Sequence, residues 1–134
     1  MPAQFAALRP HYGLLIGAAI LVLATFLPEV HADASNATCL GEPATIRGTP
    51  GNDVIYGTVA DDVASAFAGN DMVYGRRGDD RLCGGRGQDI LFDGTGADLI
   101  DGGDGIDLLY LCPDGSLDHW WNVERVVAST RACT

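Results

Sequence analysis

The chain has 134 residues and a mass of 14.0 kDa, room for one small domain. Eight arginines, no lysine and 18 acidic residues give a net charge of −10, which excludes a nucleic-acid binder or a protein of anionic membrane surfaces, because either needs a basic face. Eighteen glycines and fifteen aspartates in a chain that is 47% hydrophobic fit neither a helical bundle nor an ordinary α/β enzyme, since both residues are poor in helices and in strands.

Residues 1–13 carry Arg9 and His11 but no acid, and Leu14 to Leu27 is an apolar run without a charge. The run is too short to span a bilayer comfortably. Pro28 ends it, and Val30-His31-Ala32 supplies small residues of the kind a signal peptidase accepts. This order predicts a secretory signal peptide over 1–32 and a secreted, extracellular product with no stable membrane insertion after cleavage. Glu29 and the short span argue against a retained anchor.

All four cysteines (Cys39, Cys83, Cys112, Cys133) lie beyond the cleavage point, and an even count in a small exported domain predicts two disulfides. Three connectivities are open. Cys112–Cys133 is favoured because it ties the tail into a loop worth about 3 kcal/mol, leaving Cys39–Cys83 to pin the segment before the repeats. A zinc site lacks CxxC spacing and nearby histidines.

Residues 33–47 are expected to form an N-terminal cap. The segment 39–47 keeps a nine-residue frame loosely: Thr45-Ile46-Arg47 would continue a strand with Ile46 inward, and Ala44 stands where later units have Asp. From Gly48 to Tyr110 the frame is strict and gives seven units: GTPGNDVIY, GTVADDVAS, AFAGNDMVY, GRRGDDRLC, GGRGQDILF, DGTGADLID and GGDGIDLLY. The sixth position is always Asp: Asp53, Asp62, Asp71, Asp80, Asp89, Asp98 and Asp107. The fourth is Gly except at Ala60, and the eighth is always apolar: Ile55, Ala64, Val73, Leu82, Leu91, Ile100 and Leu109.

Each unit is part turn and part strand. Six Gly-rich, acidic residues bend the chain, and three residues of strand character follow, the middle one facing inward. Two units make one rung, and rungs stack about 4.8 Å apart as parallel strands. Units one, three, five and seven then share one edge, and two, four and six the other, so each edge carries a column of carboxylates. Two charges about 5 Å apart repel by about 3 kcal/mol at an effective dielectric of 20. The four arginines of the repeats (Arg76, Arg77, Arg81, Arg86) are clustered and cannot serve both columns. A divalent cation between stacked turns can, with turn carbonyls completing an all-oxygen shell, and such a shell suits Ca²⁺ better than Mg²⁺ or a transition metal.

The units resemble the RTX, or hemolysin-type, calcium-binding repeat, GGxGxDxUx with U a large apolar residue. Units five and seven match every defined position. The resemblance covers 48–110 and implies a small secreted bacterial calcium-binding protein. Its fold would be all-β, a right-handed parallel β-roll (RTX solenoid) of seven nonapeptide repeats with N- and C-terminal caps. It also implies Ca²⁺ ligands: the carboxylates of Asp53, Asp62, Asp71, Asp80, Asp89, Asp98 and Asp107, and glycine carbonyls such as those of Gly84, Gly87, Gly102 and Gly105. Seven turns paired with their second neighbours allow five shared sites. Asp89/Asp107 ranks first and Asp80/Asp98 next, and pairs involving Asp53 and Asp62 rank last. Units one to four carry Thr49, Thr58, Phe67 and Arg76 in place of the second Gly, Ala66 and Asp93 replace the first, and Ala60 is expected to disfavour its turn.

One sheet would present Val54, Tyr56, Met72, Tyr74, Ile90, Phe92, Leu108 and Tyr110 outward. The C-terminal capping segment, 111–134, is expected to pack over this face, with WWNVERVV as one capping strand and Glu124–Arg125 as a surface pair. The alternative is a calcium-dependent adhesion or assembly module that meets a protein or cell-surface partner through Tyr56/Tyr74/Phe92/Tyr110. Beyond residue 32 the only histidine is His119, and HExxH, GxSxG and P-loop patterns are missing, so no catalytic residue is assigned and no enzyme is expected. The reading is a calcium-binding protein whose folding is coupled to the metal.

Overall fold

The computed structural model describes residues 37–133, and the predicted signal peptide lies outside them. Twelve short strands run through the described residues. A two-residue hairpin pair, β1 (Thr38–Cys39) and β2 (Glu42–Pro43), is antiparallel. It leads into β3 (Ile46–Arg47), β4 (Val54–Tyr56), β5 (Val63–Ser65), β6 (Met72–Tyr74), β7 (Arg81–Gly87) and β8 (Ile90–Phe92). The chain continues through β9 (Leu99–Gly105), β10 (Leu108–Leu111), β11 (His119–Trp121) and β12 (Arg125–Ala128). A 3-10 turn at Thr130–Ala132 follows.

Strands from β3 onward alternate between two parallel five-stranded sheets, ordered β12-β10-β8-β6-β4 and β11-β9-β7-β5-β3. The register follows the repeat: Ile55 faces Val73, Val73 faces Leu91 and Leu91 faces Leu109 in one sheet. Ile46, Ala64, Leu82 and Ile100 line up in the other. Because side chains alternate along a strand, the eighth-position residues of both sheets meet in the middle. Val73, Leu82, Leu91, Ile100 and Leu109 are fully buried there, with Ile46, Leu111 and Val123 packed against them. The result is an all-β parallel solenoid of about five turns.

Both disulfides join the favoured pairs, Cys39–Cys83 and Cys112–Cys133. The first anchors β1 to the outer side of β7, since Cys83 flanks the inward Leu82. The second fastens the end of the chain beside β10.

The C-terminal segment corrects the sequence reading. It does not lie over the aromatic face. WWNVERVV divides at Asn122, where φ is +50°, into β11 and β12, which extend the two sheets edgewise by pairing with β9 and β10. Tyr56, Tyr74, Phe92 and Tyr110 stack on one another outside the second sheet at centroid separations of 4.9, 4.4 and 4.8 Å. These separations are the rung spacing itself, and Tyr56 remains 54% exposed.

Candidate metal centre

The turns are of two kinds. In units three to seven, positions two and four both have positive φ: Phe67 and Gly69, Arg76 and Gly78, Gly85 and Gly87, Gly94 and Gly96, Gly103 and Gly105. In units one and two, neither Thr49 and Gly51 nor Thr58 and Ala60 does. The second kind needs no left-handed residue at position four, which is why Ala60 is accommodated, against expectation.

The same division governs the sixth-position carboxylates. In units three to seven one carboxylate oxygen is used in the same way: Oδ1 accepts the backbone N–H of the Asp 18 residues earlier, Asp71 from Asp53 (2.8 Å), Asp80 from Asp62 (2.8 Å), Asp89 from Asp71 (2.8 Å), Asp98 from Asp80 (2.7 Å) and Asp107 from Asp89 (2.8 Å). The other oxygen differs. Asp53 Oδ2 receives the N–H and hydroxyl of Thr49 at 2.6 and 3.0 Å, and Asp62 Oδ2 those of Thr58 at 2.6 and 2.9 Å. In the five turns of the first kind, Oδ2 of Asp71, Asp80, Asp89, Asp98 and Asp107 is buried and receives no hydrogen bond. The threonines that looked like departures from the repeat therefore do the work of a ligand in the first two turns. Replacing Thr58 by Val removes one donor to Asp62 and the acceptor of the Ala60 N–H (3.1 Å). The expected cost is about 1–2 kcal/mol, read as a lower urea midpoint in saturating calcium, with the number of bound ions unchanged.

Buried anions without partners are costly, and the titration behaviour reflects it. Burial pushes Asp98 up to about 8, Asp80 up to about 7 and Asp89 up to about 6, and it raises Asp71 and Asp107 as well. The backbone N–H that each accepts pulls the other way, and neighbouring carboxylates in the column add to the rise. A carboxyl raised above its ordinary 3.8 stabilises the metal-free fold only while protonated. That contribution is complete below about 3.8 and is lost as pH climbs through about 6 to about 8. Calcium has to displace those protons. Apparent calcium affinity is accordingly expected to rise between pH about 6 and pH about 8, by up to about tenfold per pH unit for each proton displaced, and calcium titrations at the two pH values check it.

Two of the four predicted glycine ligands, Gly84 and Gly102, sit beside these oxygens. Gly84 and Gly102 occupy position one, where an added Cβ would press on Oδ2 of Asp89 and Asp107 and on the carbonyl oxygen of the next rung. Gly87 and Gly105 are paired in register at the turn, and a Cβ on Gly105 would overlap the Gly87 carbonyl. Arg86 pairs instead with Asp104 at 3.9 Å, both exposed. Buried carboxylate oxygens without donors, with backbone carbonyls of the next rung close by (those of Asp93, Gly102 and Asn122 beside Asp80, Asp89 and Asp107), form a hard, all-oxygen donor set of the type that holds Ca²⁺. The ion would supply the positive charge that the columns lack.

Two acids missed by the repeat frame continue the columns. Glu124 Oε2 accepts the Asp107 N–H at 2.7 Å, and Asp118 Oδ1 accepts the Asp98 N–H at 3.1 Å. Glu124 thus takes the sixth-position role for β12 rather than forming a surface pair with Arg125. The signal was present as an acid just before each of two strands, but steps of 20 and 17 residues replace the regular 18. Asp93 is a further buried acid, and it lies with Asp98 and Asp118 in one group.

Two parallel sheets closed by turns of this composition define a calcium-binding β-roll built on nonapeptides. Residues 47–82 and 78–109 match the family described as RTX calcium-binding nonapeptide repeat (4 copies). Those residues are a run of RTX, or hemolysin-type, calcium-binding repeats, and the cofactor they indicate is Ca²⁺. No match was found among curated proteins or among solved structures.

Proposed function

We propose that this is a secreted calcium-binding protein that folds when its turns take up Ca²⁺. In this proposal residues 1–32 are removed on export, 33–47 cap the N-terminal end, 48–110 form the metal-binding roll and 111–134 close the other end. The carboxylates of Asp71, Asp80, Asp89, Asp98 and Asp107 hold the ions with glycine carbonyls that include those of Gly84, Gly87, Gly102 and Gly105. Asp53 and Asp62 contribute less, because Thr49 and Thr58 already occupy their free oxygens.

The observation that carries the reading is the set of five buried Oδ2 atoms left without donors. The role is structural and not catalytic. The acids are committed to backbone donors along the columns, and His119 is exposed on a strand at the end of a sheet. The test is isothermal titration of the purified, disulfide-bonded protein with calcium, alongside circular dichroism. Saturable binding of several ions together with a gain of sheet signal supports the proposal; no binding at millimolar calcium removes it.

A further inference from the structure

One turn of the roll carries a carboxylate that the others lack. At position one of units one, four and seven, the Cβ direction points at Oδ2 of the unit's own Asp: a Cβ built there would lie 2.8 Å from Oδ2 of Asp53 at Gly48, 2.8 Å from that of Asp80 at Gly75 and 2.7 Å from that of Asp107 at Gly102. In unit six the position-one residue is Asp93, so a second carboxyl group stands beside Asp98. Asp93 is fully buried and is oriented by the N–H of Gly94 at 2.7 Å and that of Cys112 at 2.9 and 3.0 Å. Asp98 is also fully buried, with Oδ1 on the Asp80 N–H and Oδ2 without a donor.

A third carboxylate comes from outside the repeats. The loop between β10 and β11 brings Asp118 onto the Asp98 N–H, with the Ser116 hydroxyl donating to Asp118 Oδ1 at 3.0 Å. Ligand oxygens of Asp93, Asp98 and Asp118 all lie within 4.8 Å of one another. Three negative groups so close, two of them out of water, repel by about 3 kcal/mol per pair at an effective dielectric of 20.

We propose that Asp93, Asp98 and Asp118 form a separate calcium site at the C-terminal end of the roll, richer in carboxylate than the sites between nonapeptide turns, which fastens the β10–β11 loop to the sixth repeat. The proposal rests on the calcium-binding reading above. It differs in composition, since a side chain replaces the position-one glycine and the third ligand belongs to no repeat. Three carboxylates around one Ca²⁺ place it at the tight end of the ions this protein binds, because ligand charge sets calcium affinity.

The test uses the whole disulfide-bonded protein, with calcium titration for stoichiometry and Tb³⁺ as a luminescent substitute excited through tryptophan. Trp120 and Trp121 follow Asp118 closely on β11, whereas the opposite edge has no tryptophan in its turns. Asp93→Asn and Asp118→Asn are each expected to lose one bound calcium, the tightest by about tenfold or more, together with most of the tryptophan-sensitised emission. Asp89→Asn, on the other edge, is expected to keep that emission. Asp118 is partly exposed on a loop, so its variant reports even if Asp93→Asn fails to fold. Unchanged stoichiometry and emission in Asp118→Asn overturn the inference while leaving the roll's own sites intact; absence of calcium binding in the unaltered protein overturns the wider reading as well.

Discussion

In excess chelator at pH about 8, the protein is expected to lose most of its sheet circular dichroism and to regain it as calcium is returned. Two columns decide this. Asp71, Asp89 and Asp107 are neighbours on one edge, and Asp80 and Asp98 on the other, each with a buried oxygen that no donor reaches. At rung spacing each adjacent pair repels by about 3 kcal/mol, so the three pairs together approach the whole stability of a small domain, about 5–15 kcal/mol. Calcium reverses the sign of that contribution. The expected midpoint falls in the range of extracellular calcium modules, about 10⁻⁴–10⁻³ M. Acid is expected to substitute in part, because Asp80 and Asp98 are protonated below about 7 and about 8; chelated samples at pH about 4 should retain more structure than at pH about 8. A chelated sample that stays compact and melts cooperatively at pH about 8 contradicts the proposal.

Substitution of Gly87 by Ala is expected to abolish the roll even in saturating calcium, at a cost of about 4 kcal/mol or more. Gly87 has φ +136°, and a Cβ there would overlap the carbonyl oxygen of Gly69 in the turn before it. Gly105 stands in the same relation to Gly87, so the turns cannot part at one level without parting at the next. Neighbouring backbone, not a flexible side chain, is what the methyl group meets. Gly115 offers the control: its φ is +90°, but nothing lies within 4 Å of an added Cβ. Gly115→Ala is expected to cost only the local strain of about 1 kcal/mol. Urea unfolding of both variants in saturating calcium separates the two outcomes, and comparable midpoints for the two would show that close stacking of turns does not govern stability.

Much of the architecture was legible because two positions repeat without error. An apolar eighth residue and an acidic sixth at a period of nine define which side chains enter the core and which line the edges, and the sheets, register and columns follow from those two facts. What escaped was chemistry carried by exceptions. Thr49 and Thr58 read as failed glycines until their donors were seen on Asp53 and Asp62. Asp93 read as another failed glycine, although its carboxylate faces the same region as Asp98. Asp118 and Glu124 are displaced from the frame by irregular spacing, and only the pairing of β11 and β12 restores them to their columns. The aromatic face was expected to be covered because 111–134 brings Leu117, Trp120, Trp121, Val123, Val126 and Val127; instead the C-terminal residues gain backbone pairing at the open ends of both sheets, where unpaired N–H and C=O groups are costly to leave free.

Backbone donors along each column all serve the carboxylate one rung ahead, two units further on. This gives the array a parity. Gain or loss of two adjacent units would lengthen or shorten the solenoid and return every downstream residue to its own edge. Gain or loss of one would move everything downstream to the opposite edge, and within the roll would divide the run of stacked rings between the two sheets. Evolutionary growth of such a chain, or its redesign to a chosen length, is therefore quantised in steps of 18 residues.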